Sequence, residues 1–79
     1  MAIESDSRLV GSEVRAELAR QGKAQRDLAA HLGLSQTQVS HRLTGKVGFR
    51  VQELMQVAAY LGVPVTQFLP RTEPARRAS

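Results

Sequence analysis

Apolar side chains recur every three or four residues along most of the chain, which is the period of an amphipathic helix. No stretch shows the strict alternation that is typical of a strand, and no internal repeat is present. The first apolar stripe predicts a helix that begins at a cap, Asp6 or Ser7, and ends near Arg20. Its core positions are Val10, Val14 and Leu18.

Four more helices follow, and each of the first three ends at a glycine, where a left-handed residue is least costly. The predicted ranges are 25–32, 36–44, 50–61 and 65–69. The buried face of the fourth helix is expected at Val51, Leu54, Ala58 and Leu61. We therefore expect an all-α fold, a compact bundle of five short helices within residues 1–70. Residues 71–79 are rich in arginine and proline, and we expect them to form a disordered basic tail.

The segment from Gln25 to Gly45 predicts a helix-turn-helix. Leu28 and Leu32 form an apolar pair on its first helix. Ser35 precedes the second helix and is suited to cap its free N–H groups. In such a motif the first helix supports the second, which enters the major groove of DNA.

The ordered residues of this segment, QxxLAxxLGLSxxxVSxxLxG, resemble the lambda-repressor-like domain of phage repressors, Cro proteins and XRE-type bacterial regulators. The similarity continues through FRVxELxxVAxxLGVP, residues 49–64, and covers the chain from about Leu9 to Leu69. One position departs from the family pattern, because Arg42 stands where an apolar residue is more common. We expect Leu43 to fill the core there, while Arg42 sends its charged head to solvent or to a phosphate.

The resemblance implies that the third helix, 36–44, reads base edges from its first turns. Gln pairs with adenine in a bidentate manner, and the Thr methyl suits the thymine methyl. The predicted base-reading residues are Gln36, Thr37, Gln38, Ser40 and His41. The alternative is a plain solvated helix face, but the absence of acids and the weak helix propensity of these residues favour reading.

Charge also favours a polyanionic partner. The chain carries 11 Lys and Arg against 7 Asp and Glu, a net charge of +4, and only Asp27 is acidic between Arg20 and Arg50. By the resemblance, Gln25 meets a phosphate at the start of the second helix. The predicted phosphate-binding residues are Gln25, Lys23, Arg26, Arg42, Thr44, Lys46 and Arg50, with Arg20 as a further member of the clamp formed by Lys23 and Arg26. For any one of these, a plain solubilising charge is an equal alternative.

Composition excludes several other classes. The chain has no cysteine, so a disulfide framework or a cysteine-based zinc site is impossible. His31 and His41 lack accompanying metal ligands, and His31 is expected on the outer surface of the second helix. No nucleophile–base pair or phosphate-cradling glycine loop is present, so we predict that the protein is not an enzyme and needs no metal, cofactor or small-molecule ligand. The first residues do not resemble a signal peptide and no membrane-spanning segment occurs, so we expect a cytoplasmic, nucleoid-associated protein of a bacterium or an infected host cell.

The leading hypothesis is a transcription regulator, a phage-type or small bacterial repressor that occupies a double-stranded operator. The alternative is an antitoxin or another protein-interaction module built on the same fold. A dimer on DNA is expected through Val63, Val65, Phe68 and Leu69, although these residues are equally suited to closing the core of the monomer.

Overall fold

The computed structural model describes residues 2–70, and the side chains of residues 6–70. It contains four α-helices and one short 3-10 helix, which we call the 3-10 turn, and no strand within these residues. The helices are α1 (Ala2–Gln21), α2 (Gln25–Leu32), α3 (Gln36–Thr44) and α4 (Val51–Leu61), and the 3-10 turn is Val65–Phe68. The all-α prediction is confirmed, and the predicted bounds of α2 and α3 match those observed. The tail predicted at 71–79 lies outside the described residues.

Two predicted elements differ from those observed. The first helix begins at Ala2, so Asp6 and Ser7 lie inside α1 and do not cap it. The predicted fifth α-helix is a 3-10 turn, in which the N–H of Gln67 donates to Pro64 O at 3.0 Å. Four residues are too few for a stable α-helical turn, and short i→i+3 segments are the usual result.

Aliphatic side chains from the four α-helices, together with Phe68 from the 3-10 turn, form one core. Its members, each under 10% exposed, are Val14, Leu18, Leu28, Ala29, Val39, Leu43, Leu54, Val57, Ala58, Leu61 and Phe68. The predicted face of α4 is wrong at one position, because Val51 is 76% exposed and Val57 is fully buried in its place. Val51 opens α4, one turn before the helix reaches the core at Leu54. Phe68 is also fully buried, so it closes the core of the monomer and offers no surface to a second copy.

Helix α1 crosses the end of α3 at very close range. Gly11 is buried there, and a Cβ atom at this position would lie 2.6 Å from Arg42 O and still closer to Leu43 O. A real Cβ atom does not approach a carbonyl oxygen so closely. The missing side chain of Gly11 therefore sets the separation of α1 and α3.

A polar network joins the C-terminal ends of α1 and α4 to the 3-10 turn. Its centre is Glu17, which is 8% exposed. The Oε1 atom of Glu17 accepts hydrogen bonds from Arg20 at 2.6 and 2.9 Å and from Gln67 at 2.8 Å. Its Oε2 atom accepts from Gln21 Nε2 at 2.8 Å, and this same nitrogen donates to Leu61 O at 2.8 Å. Hydrogen bonds from Gln21 and Arg20, and then from Gln67, hold the pKa of Glu17 below its usual 4.5 against the opposing effect of burial.

No helix within residues 2–70 is both long enough and apolar enough to cross a bilayer.

The polar network centred on Glu17 predicts that the stability of the fold depends on pH. A carboxyl group whose pKa is lower in the folded than in the unfolded state stabilises the fold above the unfolded pKa and stops doing so as pH falls through the folded pKa. We expect Glu17→Gln to lower the free energy of unfolding at pH 7, and its difference from the parent to shrink below pH 4.5. Denaturant unfolding across this range measures the difference. Glu13→Gln removes the same charge from an exposed site on α1 and reports the general charge effect. A difference between Glu17→Gln and the parent that stays constant down to pH 3 would contradict the proposed linkage.

Candidate nucleic-acid interface

The turn between α2 and α3 is held by local hydrogen bonds. Gly33 adopts the left-handed conformation (φ 72°) and ends α2, as predicted. Ser35 Oγ accepts the N–H of Gln38 at 3.0 Å, and Gln38 Oε1 accepts the N–H of Ser35 at 2.9 Å. This reciprocal capping box satisfies two N–H groups that the start of the helix would otherwise leave free. It makes Gln36 the first residue of α3, so the predicted cap at Ser35 is confirmed.

Helix α3 turns one side to the core and the other to solvent. Val39 and Leu43 are 0% and 1% exposed. All five predicted base-reading residues lie away from this buried stripe: Gln36, Thr37, Gln38 and Ser40 are exposed and His41 is half-buried. The structure thus leaves all five outside the buried stripe. At about 100° per residue they spread over roughly 200° of the helix surface, and none of them is an acid.

The two glutamines, Gln36 and Gln38, differ in which of their side-chain amide atoms are available to contact a base. Gln38 already accepts the Ser35 N–H with its amide oxygen in the capping box, which fixes the orientation of the amide, while its NH₂ group makes no hydrogen bond with the described residues. Bidentate pairing with adenine needs both the oxygen and the nitrogen of the amide. Gln36 makes no side-chain hydrogen bond with the described residues, so it alone keeps both atoms of its amide available. Gln36 is therefore the better candidate for specific pairing.

Arg42 does not behave as expected from the sequence. It is 8% exposed, and its Nε donates to Glu53 Oε1 at 2.8 Å while its second terminal nitrogen donates to Glu53 Oε2 at 3.3 Å. The remaining terminal nitrogen donates to Gln38 O at 3.1 Å. The prediction of a solvent-directed head is wrong, because a carboxylate on α4 lies within reach and holds the guanidinium against the core. The predicted burial of Leu43 is confirmed.

Glu53 fixes two segments at once. Its Oε1 atom also accepts the backbone N–H of Arg50 at 2.9 Å, the residue that precedes α4. Burial raises the pKa of the Glu53 carboxyl, but the hydrogen bonds from Arg42 and from the Arg50 N–H, with the charges of both arginines, bring it below its usual value of 4.5. The ionised carboxylate therefore ties α3 to the start of α4.

The predicted phosphate-binding residues are distributed over several surfaces. Gln25 opens α2 and Arg50 precedes α4, and both are exposed. Thr44 and Lys46 line one depression just past α3, where the Thr44 hydroxyl donates to His41 O at 3.2 Å. Arg50 lines a separate groove beside Leu32.

The remaining predicted cations lie near the ends of α1 and α2. Arg26 is exposed on α2, whereas Arg20 is bound to Glu17. Lys23 Nζ lies 5.1 Å from the centre of the Tyr60 ring, within the range of a cation–π contact. His31 is exposed as predicted, and its ring lies against the same Tyr60 with 4.6 Å between centroids and a tilt of 34°. The structure therefore does not gather all of these residues into one patch.

No group of three or more potential metal-binding side chains converges within the described part of the chain.

The Arg42–Glu53 pair predicts a specific pattern of stabilities. Glu53→Leu leaves a nearly buried guanidinium without its carboxylate, and we expect a loss of about 3 kcal/mol in the free energy of unfolding. Replacing both residues, Arg42→Met with Glu53→Leu, removes both charges together and should return the stability to within about 1 kcal/mol of the parent. Urea unfolding of the parent, the single variant and the double variant measures this. Equal stabilities of the single and double variants would show that the pair does not act as a unit.

Comparison with known proteins agrees with this architecture. A family model described as helix-turn-helix, HTH_3, matches residues 14–68. No curated protein matches this sequence.

Three solved structures are similar to the chain. The restriction-modification controller protein C.AhdI from Aeromonas hydrophila has a TM-score of 0.76 at 20% identity, with 84% of this chain and 96% of that chain covered. The DNA-binding domain of BldD has a TM-score of 0.73 at 25% identity, with 85% of this chain and 97% of that chain covered. The hypothetical transcription factor NHTF from Neisseria has a TM-score of 0.72 at 27% identity, with 96% of this chain and 88% of that chain covered.

The family model covers well over half of the chain and includes α2, the turn and α3. The chain therefore belongs to the XRE and lambda-repressor-like helix-turn-helix family of DNA-binding transcription regulators, and this membership indicates a DNA-binding regulator and not an enzyme.

Proposed function

We propose that the protein is a sequence-specific repressor that occupies a double-stranded operator, with α3 in the major groove. The observation that carries this proposal is the exposed, acid-free polar face of α3, held in place by the Ser35 cap and by the burial of Val39 and Leu43. Major-groove edges present donors, acceptors and thymine methyl groups. Amide, hydroxyl and imidazole side chains on one helix face complement all three.

Base reading is assigned to five residues with different chemistry. Gln36 pairs with adenine through both atoms of its amide, and Thr37 places its methyl group against thymine. Gln38 donates through its NH₂ group, while Ser40 and His41 contact bases or phosphates one turn later. Gln36 contributes most to discrimination under this proposal, because its amide is not used within the protein.

Affinity comes from contacts with the phosphate backbone, which carry no sequence information. The proposed contacts come from residues on either side of α3: Gln25, Lys23, Arg26, Thr44, Lys46 and Arg50. Arg42 is left out because all three of its nitrogens donate within the protein. Residues 1–70 form the DNA-binding unit in this proposal.

A two-fold operator requires two copies of the domain, with half-sites about one helical turn apart. Val63 and Val65 are half-buried and Leu69 is 46% exposed, so these three residues offer the proposed self-contact without Phe68.

A second function, docking to a partner protein as an antitoxin does, is favoured by one observation. Val51 and Met55 are one turn apart on α4 and are 76% and 57% exposed. Apolar side chains this exposed are suited to a protein contact. Salt distinguishes the two functions: binding through about 6 to 10 phosphates weakens by roughly 10³ to 10⁵ between 50 and 200 mM salt, whereas apolar docking changes far less.

We predict that Gln36→Ala changes the recognised sequence and leaves the fold intact. Selection of duplexes from a random pool, with parent and variant side by side, measures the change. We expect a loss of discrimination worth about 1–3 kcal/mol at one position of the site. Gln56→Ala makes the same change on an exposed position of α4 and should select the parental sequence. If the parent and Gln36→Ala ranked all duplexes alike, Gln36 would not be a base-reading residue.

A further inference from the structure

Helix α1 makes three successive close contacts with the last turn of α3 and the segment that follows it. Gly11 faces the carbonyl oxygens of Arg42 and Leu43, as described above. A Cβ atom at Gly45 would lie 2.7 Å from both Cα and Cγ of Arg8, and a Cβ atom at Gly48 would lie 3.0 Å from the hydroxyl of Ser7. The register of α1 against this segment is thus fixed by backbone contact.

These contacts bring a cation that the sequence did not single out next to two of the predicted phosphate-binding residues. Arg8 is exposed, and it lines one depression together with Thr44, Gly45 and Lys46. The residues that line this depression include two cations and no acid. Two like charges side by side repel each other, so an anion that bridges them is favoured.

A residue that lines the depression also has an unused backbone donor. The N–H of Lys46 donates to no acceptor among the described residues, whereas the neighbouring Gly45 and Val47 donate to Arg42 O and His41 O. Gly45 is left-handed (φ 84°), and a backbone that passes from a helical into a left-handed residue tends to present N–H groups to anions. Guanidinium, ammonium and amide N–H groups are the donors that phosphate oxygens accept most strongly.

The depression lies at the end of α3 that is far from its base-reading turns. Nine residues form a helix about 13 Å long, and in a helix-turn-helix the N-terminal residues of this helix contact the base edges. When the N-terminal turns of α3 contact base edges, its C-terminal end lies near the bordering strand, where the phosphates are.

We propose that Arg8 binds a backbone phosphate of duplex DNA together with Lys46, at a site on the strand that passes the C-terminal end of α3. This inference rests on the proposed function. It adds a contact from α1 to those proposed for α2, α3 and the residue that precedes α4.

A purely structural role for Arg8 makes a different prediction. A cation beside the C-terminal end of a helix stabilises that helix through the helix dipole, without any DNA. Thermal unfolding of Arg8→Gln in the absence of DNA measures this effect separately from binding.

The test compares binding of the selected duplex by four proteins between 50 and 200 mM salt. The parent, Arg8→Gln and Lys46→Gln are measured with a matched control, Arg15→Gln. Arg15 is exposed on the same side of α1 two turns, or about 10 Å, further along the helix; it lines a neighbouring groove with Arg8 and Thr44, but not the depression that contains Lys46. We expect Arg8→Gln and Lys46→Gln each to reduce the slope of log affinity against log salt by about 0.9, and Arg15→Gln to keep the parental slope. The advantage of the parent over Arg8→Gln should then shrink about threefold over this range.

Two results would overturn the inference and leave the proposed function standing. One is a parental slope for Arg8→Gln, with or without a lowered melting temperature, while Lys46→Gln still reduces the slope. The other is an equal change for Arg8→Gln and Arg15→Gln, which would show that Arg8 contributes no more than another cation on the same side of α1. If the parent itself bound neither the selected nor a random duplex, the proposed function would fall, and the inference with it.

Discussion

An isolated nine-residue helix is not stable in water. The function proposed for α3 therefore depends on how the rest of the chain stabilises this helix. Its first turn is closed by the Ser35 capping box, and its inner side is anchored by Val39 and Leu43. Its last turn lies under α1 at Gly11. Only the outer face remains free, and that face carries the polar side chains. Tertiary contact thus supplies the order that the weak helix propensity of this segment does not.

The polar residues near α3 divide into those used by the fold and those left for a partner. Arg42 and Glu53 join α3 to α4, so a positive charge that is close to the proposed DNA surface does not contribute to it. Gln38 is shared, because its oxygen holds the cap and its NH₂ group stays free. The side chains of Gln36 and Lys46 make no hydrogen bond or ion pair with the part of the chain that the structure describes, which is why specificity is assigned to the first and phosphate binding to the second. Rigid placement of a few free groups is what allows a small domain to discriminate between sequences.

Local features of this structure could be predicted from the sequence, and long-range ones could not. The ends of α2 and α3 follow from Gly33, Ser35 and Gly45, because caps and left-handed residues act within a few positions. The partner of Arg42 lies eleven positions away on another helix, and no spacing rule connects the two.

The same limit explains the other differences. The exposure of Val51 depends on where α4 meets the core, and the place of Arg8 depends on how closely α1 approaches Gly45. Both are set by packing between helices that are distant in sequence. The polar residues of the proposed base-reading face can therefore be predicted from the sequence. The Arg42–Glu53 pair that joins α3 to α4, and the position of Arg8 beside Gly45, are evident only from the three-dimensional structure.

The most direct test of this account is a nuclear magnetic resonance titration of the labelled protein with its selected duplex. We expect the largest changes in amide resonances at residues 35–41 and at Lys46, with little change at Val57, Ala58 and Leu61, which are buried on α4. Such a pattern would mean that the face left free by the fold is the one that meets DNA. Unmoved resonances from Ser35 to His41, in a titration where the duplex binds, would contradict the account, because the bound surface would then lie elsewhere.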